Sequence, residues 1–442
     1  MSACANKAVI LGGGVTIFAL ATGAGLAAIA VMRISGPDSG AVLAALCDGA
    51  LPAPRMASLR GLRSCDGDLL DRAVVLWLPG PGTYTGEDSV ELHLHGGRAV
   101  TEAVAETLVA LGIRPADPGE FTRRAFLNGK LDLVQAEAVH DLVSAETEAQ
   151  RRQALRQLNG ALGGLYRDWS DQLRTVLAQQ EALIDFPDED LPADVEAALL
   201  ATMAVLAKAI QAHLSDDRRG EKLRDGLFFA ISGPPNVGKS SLMNALADRD
   251  VAIVSPIPGT TRDVLEARVV LGGVPVTMVD TAGLRDAQDA IEAEGVRRGQ
   301  ARTRDADLVV HVVQAGSPGP HIPPDGTNLL VANKSDLGGN GPADALPVSA
   351  LTGQGVDELR HVLAERARAM TETAGPPPLT RQRHRVALET ALLHIQAAQA
   401  ADLPELRGED LRLALRAISR ITGHVGVEDI LDTLFSQFCI GK

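Results

Sequence analysis

Aromatic side chains make up only 3% of the 442 residues, with two tryptophans and two tyrosines. A protein that coats single-stranded nucleic acid stacks bases on such rings, so their scarcity counts against that class. Cysteines are few as well. Cys4, Cys47, Cys65 and Cys439 lie far apart with no Cys-x-x-Cys pair, which argues against a zinc site and a disulfide framework and suits the reducing cytosol. Positive charge is in deficit: 42 basic against 56 acidic residues leave a net charge of -14. The surface as a whole repels phosphate, so a general DNA coat is excluded and nucleic acid must meet a local basic patch. Long apolar runs are missing apart from the uncharged stretch Ala8–Met32. Its five glycines and two threonines interrupt it, and it reads better as two strands, Val15–Ala21 and Ile29–Ser35, around a turn at Thr22–Gly25 than as a signal peptide or membrane span. Residues 1–14, with Gly12-Gly13-Gly14, then form a leader or reflect a mis-assigned start, and no stable membrane insertion is expected.

With 45% hydrophobic and 22% charged residues, the chain is a folded globular protein of roughly three domains. Residues 15–130 alternate short apolar runs with turn clusters such as Pro79-Gly80-Pro81-Gly82, the pattern of a mixed α/β domain. Residues 131–224 change to helical spacing, with Leu155, Leu158, Leu162, Leu165, Trp169, Leu173 and Val176 on one stripe. Residues 225–368 return to alternating strands and helices. After the breaker Gly375-Pro376-Pro377-Pro378, helical spacing resumes through 369–442. The fold class expected is therefore α/β and all-α multidomain, with an α/β module inserted into a helical one, which adjacent domain termini make physically easy.

The inserted module carries the chemistry. Strand Leu227–Ile231 runs into Gly233-Pro234-Pro235-Asn236-Val237-Gly238-Lys239-Ser240-Ser241 and then a helix, the order of a phosphate-binding loop. Glycines let backbone N–H groups close around phosphates, Lys239 reaches the β and γ phosphates, and the Ser240 hydroxyl ligates Mg²⁺. Asp280-Thr281-Ala282-Gly283 follows an apolar strand, placing a carboxylate in the Mg²⁺ shell and a glycine N–H near the γ-phosphate. Asn333-Lys334-Ser335-Asp336 ends another strand, and Asp336 accepts from the N1–H and N2–H₂ of guanine, a donor pair adenine lacks, which selects GTP over ATP. Ser349-Ala350-Leu351 supports the guanine O6 through backbone N–H. Between these segments, Thr261 of Pro258-Gly259-Thr260-Thr261-Arg262-Asp263 is the switch threonine for Mg²⁺ and γ-phosphate. Four elements in this order identify a GTP-binding domain. Leu284 stands where many GTPases carry a water-orienting glutamine, so hydrolysis calls for an alternative cation, which Asn236 can help hold. Glu292 is a candidate acid or base as well as an ordinary solvated helix charge.

With these motifs in place, the chain resembles the MnmE (TrmE) family of tRNA-modification GTPases from Val15 to Lys442. The resemblance rests on Thr16–Thr22, Met32–Gly36, Tyr84–Asp88, His95–Gly97, Pro118–Thr122, Arg124–Asn128, Lys130–Ala138, the GTPase motifs and the terminal Phe438-Cys439-Ile440-Gly441-Lys442. It implies a tetrahydrofolate-binding N-terminal domain that also dimerises, a helical domain built from two chain segments, and an inserted Ras-like G domain. It implies a homodimer that assembles into a heterotetramer with the FAD-dependent MnmG (GidA) and adds an aminomethyl-type group at C5 of the tRNA wobble uridine in the cytoplasm. The one-carbon donor is a folate, in its 5-formyl or 5,10-methylene form. By the same resemblance K⁺ bound at Asn236, Ser255, Ile257 and Thr260 activates hydrolysis, Glu292 is catalytic, Cys439 is needed for tRNA modification, and Arg33, Glu91, Lys130 and Lys442 contact folate. Gly23-Ala24-Gly25-Leu26 departs from the family's Pro-Pro-Gly here, so a folate-site loop of different local shape is expected.

Arg33 and Lys130 are cationic donors suited to a folate carboxylate, and Glu91 accepts from pterin N–H groups. Glu91, His93 and His95 alternate on one strand face; a metal site and ordinary polar facing are both open to them. The basic patches Arg151-Arg152 with Arg156, and Arg381–Arg385, are either tRNA contacts or solvated helix faces. Competing readings are a ribosome-assembly GTPase that binds rRNA, a membrane-associated GTPase coupled to transport, and a folate-dependent transferase whose GTPase is only regulatory. The first calls for a KH domain or a second G domain, and neither a second phosphate loop nor a KH-type Gly-x-x-Gly is present. The second calls for several apolar spans of about 20 residues.

Overall fold

The computed structural model describes residues 16–23, 25–47, 50–185, 194–247, 266–280, 306–319, 326–339, 341–372, 375–423, 425 and 428–441. These fall into two compact units, one within Met1–His140 and Ser419–Lys442, the other within Asp141–Ile418.

The first unit is built on a six-stranded sheet in the order β3-β4-β5-β2-β1-β6. The strands are β1 Ile17–Leu20, β2 Ala27–Ser35, β3 Ser58–Arg63, β4 Leu69–Leu78, β5 Ser89–Gly96 and β6 Arg114–Pro115. Strict alternation assigns the two faces. Val90, Leu92 and Leu94 of β5 join Phe18, Met32, Ile34, Val75 and Trp77 in a core. Two helices cover that face, α1 Ser39–Cys47 and α2 Arg98–Ala110, which supply Leu43, Leu46, Val104 and Leu108. The opposite face carries Ile17 and Ala19, packed with Ala116 and with Phe121 from α3 Glu120–Leu127. Register sets Arg33 directly across from Glu91. α4 Leu133–Ser144 and a C-terminal helix, Glu428–Ser436, close a smaller cluster in which Leu133, Ala136, Phe435 and Phe438 are buried.

The second unit contains a sheet in the order β12-β11-β10-β7-β9-β8. Its strands are β7 Leu227–Ser232, β8 Glu266–Leu271, β9 Val274–Asp280, β10 Leu308–Gln314, β11 Asn328–Asn333 and β12 Leu346–Pro347. All pairings are parallel except β8 with β9. β7 and β10 are apolar on both faces, as a parallel sheet covered by helices requires. The helices described from residue 148 to residue 422 are α5 Glu148–Leu158, α6 Ala161–Asp185, α7 Asp194–Leu214, α8 Arg219–Asp225, α9 Lys239–Ala247, α10 Val356–Thr371, α11 Gln382–Ala400 and α12 Pro404–Thr422, of which α9 and α10 cover the sheet with Leu242, Leu246, Leu359 and Leu363.

Three sequence expectations change here. The single stripe Leu155–Val176 is two helices: the α5 backbone ends at Asn159-Gly160, and glycine takes the positive φ (+85°) of that turn. Leu155 and Leu158 are consequently half-buried, while Ala154, Gln157 and Tyr166 are inside. Secondly, a further stretch, Glu196–Asp225, is long and apolar enough to cross a membrane by length and composition. Leu199, Met203, Leu206 and Ile210 line one buried face of α7, while about a third of the apolar window in all is inside. Thirdly, Cys65 is disulfide-bonded, whereas Cys439 is an exposed free thiol. Sequence spacing reports metal motifs, but pairing of distant cysteines is a matter of tertiary contact.

The second basic patch is largely buried in ion pairs, whereas the first keeps its charge at the surface, with Arg156 exposed beside it. Arg151 and Arg152 both pair with Glu148 at 2.7 Å. Arg385, with only 7% of its side chain exposed, donates to Asp216 (2.6 Å) and Glu221 (3.0 Å). Arg381 and Arg224 converge on Asp141 at 2.6 and 3.1 Å. The pairs made by Arg381 and Arg385 stitch the chain before the inserted sheet to the chain after it, and Thr380 adds a buried hydrogen bond to Gln157.

Beside them Tyr166 meets His213 and His384 edge-on, as Trp169 meets His213, while Tyr166 and Trp169 are tilted against each other. Burial holds the His213 imidazole down, to about 4 from 6.5; Asp216 opposes the shift and Arg385 reinforces it. The unfolded chain therefore accepts a proton that the folded chain refuses, and stability falls as pH drops from about 6.5 toward 4, by up to about 1.4 kcal/mol per unit. Chemical denaturation across this window should show a shallower acid loss in His213→Phe than in the native chain; identical slopes would remove His213 as the cause.

Candidate functional site

The loop after β7 is shaped by steric necessity. A Cβ at Gly233 (φ +152°) would stand 2.1 Å from the Val312 carbonyl oxygen of β10, and one at Gly238 (φ +90°) would stand 2.5 Å from the Asn333 amide nitrogen. Only glycine permits both approaches. Asn236 sits between them in the left-handed region at φ +61°, a conformation asparagine tolerates better than most residues. The loop thus ends at the N-terminus of α9, where backbone N–H groups and the helix dipole favour an anion.

Asn333 is the joint of the site. Its side chain is 2% exposed. Its Nδ2 donates to the Val237 carbonyl at 2.8 Å, and its Oδ1 accepts from the Ala350 N–H at 3.1 Å. One amide therefore ties the phosphate loop to both segments expected around guanine. Lys334, at φ +64°, adds a second tie by donating from Nζ to the Asn236 carbonyl at 2.7 Å. Asp336 lies exposed in the short 3₁₀ turn Ser335–Leu337, and Leu351 is exposed beyond β12. The Ser335 hydroxyl is buried without a hydrogen-bond partner, the kind of unsatisfied group that a polar ligand would complete.

At the phosphate end, Lys239 is buried and donates to the Pro234 carbonyl at 2.6 Å. The Ser240 hydroxyl donates to Asp280 Oδ2 at 2.7 Å. Parallel pairing of β7 with β9 sets Ile231 across from Asp280, so the strand ends bring hydroxyl and carboxylate together. This oxygen pair fits a hard divalent cation, which takes oxygen ligands. Ser241 follows in the first turn of α9. Ser255, Ile257, Thr260, Thr261, Thr281, Ala282, Gly283, Glu292 and Lys442 lie outside the described residues.

In the first unit, Arg33 and Glu91 pair at 2.9 Å on the sheet face opposite the α1–α2 core. The Arg33 guanidinium also lies over the rings of Tyr84 (5.7 Å) and Phe121 (5.9 Å). These rings were not singled out from sequence, although Tyr84 is one of only two tyrosines and opens the Tyr84–Asp88 segment. Burial pushes the Tyr84 phenol up from 10.0, against its hydrogen bond with Thr122 and the charge of Arg33. Lys130 is exposed, and its methylenes leave so little room at Gly86 (φ +81°) that a Cβ there would come within 3.1 Å of Cε. A charged pair beside a half-exposed ring, with an ammonium nearby, fits a flat heterocycle bearing N–H donors and a carboxylate tail. His95 bonds Asp71 at 2.7 Å, and the described residues contain no group of three or more His, Cys, Asp or Glu suited to a metal. The C-terminal segment reaches the same sheet: the Gly119 N–H donates to the Cys439 carbonyl at 3.4 Å. A Cβ on Gly441 would stand 2.2 Å from the Leu20 carbonyl oxygen.

Family models match in two places: "GTP-binding protein TrmE N-terminus" over residues 16–130 and "MnmE helical domain" over residues 133–439. The tRNA modification GTPase MnmE of Gluconacetobacter diazotrophicus is 61% identical over 431 residues, covering 96% of this chain and 98% of that protein. The protein of the same name from Granulibacter bethesdensis is 55% identical over 440 residues, covering 97% and 99%. Among solved structures, the G domain of the T. maritima FeoB iron transporter is 23% identical with a TM-score of 0.23, covering 33% of this chain and 99% of that one.

The steric argument at Gly238 is open to test. Gly238→Ala should displace the Asn333 amide and weaken GDP binding by at least about tenfold, with helix content unchanged by circular dichroism. Native affinity in calorimetry would show that the amide does not hold the loop.

Proposed function

Because the chain belongs to the MnmE family of tRNA modification GTPases, we propose that it couples GTP hydrolysis to folate-dependent modification of the wobble uridine at C5, together with MnmG. The observation that supports this most is the Asn333 amide, which joins the phosphate loop to the guanine-side segments in one buried network.

In this reading, Asn236 to Ser241 hold the phosphates and Asp336 accepts from guanine, with Ser349 to Leu351 behind the base. Ser240 and Thr261 would hold Mg²⁺, with Asp280 beside Ser240, and the ion would supply charge neutralisation at the β and γ phosphates. Asn236, Ser255, Ile257 and Thr260 hold K⁺, which supplies the positive charge that Leu284, in place of glutamine, leaves wanting. Glu292 orients or deprotonates the attacking water through its carboxylate. Arg33, Glu91, Lys130 and Lys442 bind a 5-formyl or 5,10-methylene tetrahydrofolate, and Cys439 serves the modification reaction. Residues 15–130 form the folate and dimerisation domain, 131–224 with 369–442 the helical domain, and 225–368 the G domain of a cytoplasmic homodimer. It works as a heterotetramer with MnmG, which carries FAD.

Since Arg381 and Arg385 are committed to buried ion pairs, of the two basic patches the exposed Arg151, Arg152 and Arg156 are the better placed for tRNA phosphates.

Asp336→Asn should lower GDP affinity by roughly a hundredfold and restore binding to xanthosine diphosphate; unaltered GDP affinity would refute the guanine assignment. Hydrolysis should slow by at least about tenfold when Na⁺ replaces K⁺, and equal rates would remove K⁺ from the mechanism. Nucleoside mass analysis of tRNA from a deletion strain tests the substrate: loss of the C5 group at the wobble position is expected, and a normal profile would defeat the proposal.

A further inference from the structure

A cavity of about 390 Å³ lies where the polypeptide enters and leaves the GTP-binding module. Its floor is apolar: Leu162 of α6, Leu223 of α8 and Val274 of β9 are each at least nine-tenths buried. Pro377 and Thr380 of the returning connection form one wall. Its volume is that of a small-molecule pocket, and junctions between modules are where such pockets concentrate.

The rim is cationic. Arg152, Arg156 and Arg368 all line it. Arg152 pairs with Glu148. Arg368 is fixed by donating from Nε to the Gly272 carbonyl at 3.0 Å. Arg156 and Arg368 have no carboxylate partner among the described residues. In a chain of net charge -14 with 56 acidic residues, two arginines left without acids over an apolar floor stand out from the composition. Glu372 is the one carboxylate in the lining. Guanidinium groups favour planar oxyanions, and the floor favours an apolar body.

We propose that this cavity binds a small amphipathic anion, an aromatic or alicyclic body bearing one carboxylate, sulfonate or phosphate group. The site shares no lining residue with the nucleotide loop, and a ligand in it touches both polypeptide connections at once. The probe is 8-anilinonaphthalene-1-sulfonate, titrated by fluorescence into the full chain saturated with GDP, so that the nucleotide site is closed to the dye. Saturable enhancement at one dye per chain is expected. Arg156→Gln, a change of an exposed side chain, should weaken it by about tenfold with the melting temperature unchanged. Ala149→Trp, which fills the cavity, should abolish it. Dye binding that does not saturate, or that keeps its affinity in Arg156→Gln, overturns the proposal whether or not the tryptophan variant folds.

Discussion

A single buried carboxamide, that of Asn333, carries the geometry on which the nucleotide site depends. Glycine at 238 is required because the Asn333 nitrogen occupies the space of a Cβ, and Ala350 is positioned because the Asn333 oxygen takes its N–H. The amide satisfies two backbone groups that burial would otherwise leave costly, by about 1–3 kcal/mol each. Phosphate loop and base-side segment are therefore joined before any nucleotide arrives, and such pre-organisation lowers the ordering cost of binding.

A second constraint acts on the frame. Asp141 receives Arg224 from before the insertion and Arg381 from after it, while Arg385 closes on Asp216 and Glu221. Breaking one partner of such a buried pair typically costs about 3–5 kcal/mol because the other charge stays behind. The inserted sheet is thus held at both crossings by ion pairs, and residues that read as RNA-binding in isolation are spent on this purpose. The same crossings enclose the cationic cavity.

Much of this was legible in the sequence because short-range rules govern it. Strands β7, β9 and β11 and their terminal motifs appear where apolar runs end in glycine, aspartate or asparagine, and β5 alternates with period two. What escaped was tertiary. Charge runs do not reveal their partners, so Arg381 and Arg385 looked like surface. A helical stripe does not reveal a break at Asn159-Gly160. The rings of Tyr84 and Phe121 come from separate segments and meet Arg33 only in the fold.

The most direct test of the account is calorimetric titration of the purified chain with GDP and with ADP in Mg²⁺ buffer. The Asn333-centred site predicts saturable GDP binding and ADP binding weaker by at least about 10³-fold, since adenine leaves the Asp336 carboxylate unpaired. Equal affinities, or no heat with GDP, would contradict it.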